Sequence, residues 1–588
     1  MRRSPILKGV LAGALIIAIV AIFVLVKTNM QKQEQGTASI LLSNEQDEAE
    51  AAKTVQMTQT DSQAEEEVLL ENSFAYENVV LPEEITIPEA VVVEDRADGD
   101  VFEVAPDSTA DYLEIPENIP SSYTSDDVEG EDFITSVKNQ GQTSSCWSYA
   151  AIAAVESDLL IHHSNLSASD LNLSEKHLTY YNMHQATGSY GGLIDLDYRE
   201  MINETDTYAW VFEYGTGYLS VGGVTDYCID YFTSWKGPVL DEGSDAFGNI
   251  SSATALYINS SSEATDAFAP ICHVQNVYEI PASIKNNKSI KALIMEYGSV
   301  TASICADDKY WKSNYKTLYD YDEFEIGKNA ADHEILIVGW DDDFSFDAYG
   351  NKPEGNGAWL CKNSWGTNIG YDGYFYVSYY DNVLQEYNVA AYSSAMEGED
   401  GWYDNNYQVA GFVSYITDAI EDEENMIYAC EDNEYPYGVL YESLSDETLK
   451  AISLWSLETG NDYRIEIYTG VEASDFIDFT SLPEPAVDME ATLSTGGFHT
   501  ITLAKELSLK EGENFLILIT PLNASDLVFE KAMELTSDEN YDDWGNYIGS
   551  IRTINSASGL SFYLSEDGKG LSRQEDKDFA IKAYTNNQ

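Results

Sequence analysis

Positive charge is scarce in this chain. Lys and Arg number 30 against 102 Asp and Glu, a formal net charge of −72 over 588 residues. Phosphate recognition draws its free energy from clustered Lys and Arg, so nucleic acid is excluded as a partner. Cysteine is scarce too, and six in this length do not make a disulfide scaffold. No CxxC or HExxH string is present, and acid runs such as Asp341–Asp343 lack EF-hand spacing, so no metal site is expected. What is present is apolar and aromatic: 44% of residues are hydrophobic, with 41 Tyr, 20 Phe and 10 Trp. That excludes wholesale disorder, and the length calls for two or three domains.

Arg2, Arg3 and Lys8 precede an unbroken apolar or small run, Gly9 to Val26. As a helix it would cover ~27 Å, close to a bilayer core. The expectation is a signal anchor over 1–32, with the chain beyond it outside the cell; a secreted protein with a cleaved signal peptide is the alternative. From Glu34 to Gly130 only Lys53 and Arg96 are basic among many acids. Residues 33–114 therefore read as a solvated, disordered stalk, or as a propeptide. Folded structure is expected to begin near Ile115.

The string VKNQGQTSSCWSYAAIAAVESDLLI puts Cys146 at the start of a segment with helical apolar spacing. A thiol at a helix N-terminus feels the positive end of the dipole, which favours the thiolate. ADHEILIVGW places His333 before a strand-like run, and WLCKNSWGT places Asn363 after another. A thiolate, a base that takes and returns its proton, and an amide that orients the base are the parts of nucleophilic acyl transfer. The side chain of Gln140 and the backbone N–H of Cys146 are candidate donors to the oxyanion.

QGQTSSCW, DHEILIVGW and KNSWGT together resemble the three active-site blocks of the papain-like cysteine proteases. The resemblance implies a two-lobed α+β fold over 115–395, one lobe helical and the other β-barrel-like. It implies Cys146 as nucleophile, His333 as general base and acid, Asn363 as orienting amide and Gln140 as oxyanion donor, with Trp147 and Trp365 supporting the site. LSEKHLTYYNMHQATGSYGG further resembles the family's helix followed by a Gly-Gly pair, which makes Gly191 and Gly192 substrate-backbone candidates. Ala302, Ser303 and Asp332 resemble parts of the specificity pocket. The implied activity is hydrolysis of protein or peptide substrates through a thioester, without a cofactor. An inactive scaffold serving as an adhesin, and a Cys-His transpeptidase, are the alternatives.

The chain departs from the family where Thr143 and Ser144 replace the Cys-Gly that usually precedes the nucleophile. Extra length over Asp195–Pro281 and between His333 and Asn363 reads as surface insertion, and Cys228 and Cys272 could pair in a disulfide. After Tyr380, short β-rich runs alternate with turn residues, predicting an all-β sandwich over 400–588. WYDNNYQVAGF resembles the lectin-like domain of bacterial surface cysteine peptidases, which implies a glycan or cell-surface ligand.

Overall fold

The computed structural model describes residues 108–111, 113–128, 130–141, 143–181, 193–195, 223–241, 270–325, 328–347, 349–409, 416–417, 428–523, 525–531, 533–534, 538–541, 547–551, 554–555 and 558–588. The apolar run Gly9–Val26 lies outside them. Among the described residues no helix is long and apolar enough to cross a membrane.

Helix α1 (Cys146–His162) is the axis of the first lobe. Its Ala- and Leu-rich sequence is buried almost all round, as expected of a helix enclosed by other elements. Helices α2 (Glu175–Tyr181) and α3 (Thr225–Thr233) pack beside it. The second lobe is built from strands β3 (His273–Pro281), β4 (Val300–Ile304), β5 (His333–Asp341), β6 (Ala358–Lys362), β7 (Tyr374–Ser378) and β8 (Asn388–Ala395), with helix α4 (Asn287–Tyr297). Strand order runs β3-β8-β4-β5-β6-β7. Strand alternation serves both lobes at once. On β5, Leu336 and Val338 enter the apolar cluster around α1, whereas Ile335 and Ile337 enter that of the β lobe.

The C-terminal sandwich has strands β9 (Asn405–Gln408), β10 (Tyr437–Glu442), β11 (Glu447–Ser456), β12 (Asn461–Thr469), β13 (Val487–Leu493), β14 (Gly496–Leu509), β15 (Asn514–Pro521) and β16 (Lys582–Asn587). One of its sheets does not end at the domain boundary. β14 pairs antiparallel with β3 through Gly496–Glu279, Gly497–Tyr278 and Phe498–Val277. The order β9-β16-β11-β14 thus continues into the β-lobe strands as a single fourteen-stranded sheet. Gly497 makes the approach possible: its φ is +108°, and a Cβ there would lie 1.9 Å from the Val277 carbonyl oxygen.

Three sequence expectations are corrected. Asp195–Pro281 is not simply surface insertion. Ile229, Tyr231 and Phe232 of α3 are fully buried, and β3 lies within the shared sheet; the polar residues between had masked two short core elements. Cys228 and Cys272 are buried free thiols rather than a disulfide. Folded structure also starts earlier than Ile115, because strand β1 (Ser108–Asp111) pairs parallel with β13 of the sandwich.

Candidate active site

The site sits where α1 meets the first residues of β5. Ser145 precedes α1, and its carbonyl accepts from the N–H of Ser148 and Tyr149, so Cys146 occupies the first helical position, 8% exposed. Backbone N–H groups of Glu334 and Trp147 bond its sulfur. His333 opens β5 and is buried; its Nε2 lies 3.0 Å from Asn363 Oδ1. Trp365 stacks on the imidazole at 4.4 Å between centroids and shields that bond from water. The Asn363 oxygen also accepts from the Ser364 N–H at 2.7 Å, which fixes the amide so that its oxygen faces the ring.

Gln140 is held by the same turn. Its N–H donates to the Ser364 carbonyl at 2.8 Å, and the Ser364 hydroxyl donates to Gln140 Oε1 at 2.5 Å. One Nε2 proton goes to the Thr143 carbonyl at 2.6 Å. An amide nitrogen carries two protons, so a second remains for an oxyanion. The Asn-Ser-Trp block therefore holds His333 and Gln140 together, a role for Ser364 that the sequence motif did not announce.

Burial dominates the electrostatics. It pushes the Cys146 thiol up to about 12, reinforced by the nearby Glu334 and Asp332 and opposed by the two N–H bonds. Burial likewise holds the His333 imidazole down at about 4, against the bond to Asn363. The helix start was expected to lower the thiol pKa, but in the closed site desolvation outweighs it. Both displacements favour the uncharged thiol and imidazole, and His333 stays a free base across neutral pH.

Beneath the site a charged network clamps four segments. Lys138 Nζ lies 3.1 Å from Glu156 and 2.5 Å from Glu175. Thr135 donates to Glu156 at 2.5 Å and accepts from Lys362 at 3.1 Å. Removing α1 Glu156 from water is offset only because each of its oxygens is bonded. A cavity of about 20 Å³, room for roughly one water, separates Tyr149 and Ala150 of α1 from Glu334, Lys362 and Asn363.

The remaining candidates divide. Trp147 is buried against Tyr227 of α3. Ser303 faces the cleft side of β4 and donates to Glu334 at 2.6 Å. Asp332 accepts from the Ala306 N–H at 2.5 Å, which gives that oxygen a turn-holding role. Ala302 is fully buried in the β-lobe core, since strand alternation turns it away from Ser303; it is not a pocket wall. Gly191 and Gly192 lie outside the described residues. Gly223, overlooked in the sequence, lies against the Trp147 indole so closely that a Cβ would come within 2.3 Å of it. Its signal was available: Gly222–Gly223 is a second Gly-Gly pair, directly ahead of α3.

Comparison with known proteins adds to this geometry. Residues 119–396 match the papain family cysteine protease profile, and residues 415–585 match a lectin like domain. Residues 119–396 are a papain-family cysteine protease domain. A lectin-like domain follows it in the same chain. The protease domain is 26% identical over 243 residues to a viral cathepsin of Spodoptera litura multicapsid nucleopolyhedrovirus, covering 41% of this chain and 53% of that protein. It is 25% identical over 267 residues to mouse (Mus musculus) cathepsin K, covering 45% of this chain and 62% of that protein. The chain thus spans little more than half the length of the curated relatives it matches. The fold of both domains is shared with the clostridial cysteine protease Cwp84 after propeptide cleavage, with a TM-score of 0.55 and 22% identity over 80% of this chain and 100% of that one. A second structure, of the cysteine protease and lectin-like domains of Cwp84 from Clostridium difficile, matches at TM-score 0.55 and 21% identity, covering 80% and 90%.

Proposed function

We propose that the protein is a thiol endopeptidase of the cell exterior that hydrolyses peptide bonds through a Cys146 thioester. The observation that carries this is the His333–Asn363 bond under the Trp365 indole, at the start of the strand whose Glu334 N–H bonds the Cys146 sulfur. In this reading His333 takes the thiol proton as sulfur attacks the scissile carbonyl and returns it to the leaving amine. The Cys146 N–H and the free Gln140 proton receive the developing oxyanion. Water then attacks the thioester with His333 as base. Gly222 and Gly223, the latter against Trp147, are the glycine pair proposed to bond an extended substrate backbone.

The exterior location rests on the N-terminal apolar run and on the likeness to Cwp84, described as surface layer associated. The lectin-like domain supports a glycan or other surface ligand. Peptide turnover by purified ectodomain tests the activity. Cys146→Ala should abolish it and His333→Ala should nearly do so. Gln140→Ala should lower kcat by ~10²–10³ with little change in KM, because that bond strengthens only as charge develops. Asn363→Ala should be milder, since Trp365 still holds the ring. With His333 at about 4, kcat/KM should fall on the acid side near pH 4 rather than near 6.5. Retained turnover in Cys146→Ala, in a preparation free of other proteases, would overturn the reading.

A further inference from the structure

Glu334 follows the base His333 directly, and the mechanism above uses only its backbone. Its side chain is the unusual part. On β5 it shares a face with Leu336 and Val338, both of which join the cluster around α1, so the carboxyl lies on the side of the sheet turned toward the helical lobe, at the level of Cys146. It is partly exposed. It accepts from Ser303 at 2.6 Å and from the Thr301 hydroxyl, and forms no ion pair with any described cation. Its charge is felt at two sulfurs, Cys146 at the head of α1 and Cys228 on α3. Asp226 of α3 and Asp332 add to the same field. An acid drawn partly out of water, held by two hydroxyls and without a cation among the described residues, beside the Cys146 thiol, is poorly explained as a structural element, because such carboxylates are ordinarily paired.

We infer that Glu334 is a specificity-determining residue that receives a cationic substrate side chain, lysine or arginine, close to the scissile bond. The inference rests on the peptidase reading. A substrate strand laid along the cleft beside Cys146 carries its side chains alternately toward and away from β5, and one that reaches Glu334 would supply the missing positive partner. The two hydroxyls hold the carboxyl in place, and burial raises it to about 7, so a cationic partner is what would keep it ionised.

The test uses the ectodomain and matched fluorogenic peptides that differ only by arginine or norleucine at each of the three positions on the acyl side of the cleaved bond. At one position the wild type should prefer arginine in kcat/KM by about tenfold or more. Glu334→Gln keeps the size and one acceptor oxygen and removes the charge, and it should erase that preference. The ratio for one enzyme preparation is insensitive to how much of it is folded or active. A wild type that cleaves both peptides equally well at all three positions overturns the inference and leaves the peptidase reading standing, as does a preference that survives in Glu334→Gln. A wild type that cleaves neither peptide set overturns both.

Discussion

The two lobes of the protease domain differ in what completes them. The β-lobe core, from Ile280 to Ala391, is drawn entirely from protease residues. The cluster around α1 is not: Trp455, Phe498, Val528 and Ala580 of the sandwich belong to it along with Ile152, Leu159 and Phe232. Two polar bonds follow the same division: Asn406 donates to the Thr233 carbonyl at 3.1 Å and Lys582 lies 3.3 Å from the Thr233 hydroxyl. Thr500 instead bonds Gln275 and Asn276 on β3, the β-lobe strand that meets the sandwich. The lobe that presents Cys146 therefore leans on the sandwich. A lectin-like module need not be an appendage; here it supplies wall and sheet edge to the enzyme.

The strongest challenge to that comparison is truncation after Ala395. It uncovers the β3 edge and strips the sandwich residues from the α1 cluster, removing many apolar contacts and backbone pairs together. The truncated chain should give no soluble folded monomer by size exclusion and circular dichroism. A stable, active 115–395 fragment would show that the two cores are independent.

Point changes at the seam sharpen the same contrast. Gly497→Val forces a Cβ into the Val277 carbonyl and should separate β14 from β3. Phe498→Ala empties a site that is 1% exposed and should cost ~3–5 kcal/mol. Leu293→Ala in α4, fully buried in the β lobe, should cost a comparable ~2–5 kcal/mol. The distinction is in hydrogen exchange: Phe498→Ala should lower protection in α1 and β14 together, and Leu293→Ala in the β lobe first. Identical patterns would remove the difference between the lobes.

How much of this could be read beforehand follows from distance along the chain. Cys146, His333, Asn363 and Gln140 each stand in a short block whose neighbours carry the signal, so the site's parts were legible. Ser364 was quoted in its block, but its role emerges only once that turn lies against Gln140. The sandwich was legible as β-rich runs. The seam was not, because β3 and β14 are separated by over 200 residues and Gly496–Gly497 looks like any turn. Ala302 was misjudged because a one-residue step on a strand reverses the face.

Acidity should act on the seam before the β lobe. Glu279 sits in β3 opposite Gly496, and burial, with Asp226 nearby, raises its carboxyl to about 8. In the β lobe burial raises Asp381 to about 7 and Asp320 to about 6. Each folded pKa lies above the unfolded value, so the stabilising contribution is complete below about pH 4 and is lost as pH rises through the folded pKa. His333 at about 4 and His273 at about 3 act oppositely, their contributions falling as pH drops below 6.5. Between pH 9 and 7 His162, raised to about 9, also favours stability at lower pH, whereas Lys176 and Lys362, lowered to about 8, oppose it. Glu279 is therefore read from a difference: relative to wild type, Glu279→Gln should gain less stability as pH falls from 9 to 7 in thermal melts, and an unchanged slope would remove Glu279 from the account.

The smallest effect is expected at the sandwich's other tie to the β lobe. After β1 the Leu113 N–H bonds Ser494 at 3.1 Å, and Leu113 and Ile119 then pack on the β-lobe core. The Pro120 carbonyl accepts from Trp340, and strand β2 (Ser122–Thr124) pairs with β5. Residues 108–124 thus form a strap from the sandwich edge to the lobe that holds His333. It carries four residues paired to the sandwich edge and three paired to β5, against the core shared across the seam. Ala110→Pro removes an N–H and disturbs the local ladder, at about 1–2 kcal/mol. It should speed proteolysis ahead of Ile115 while leaving the α1 cluster protected from exchange. If it instead loosens α1 as Phe498→Ala should, the strap and the seam are one cooperative unit, and the division between the lobes is less sharp than their cores imply.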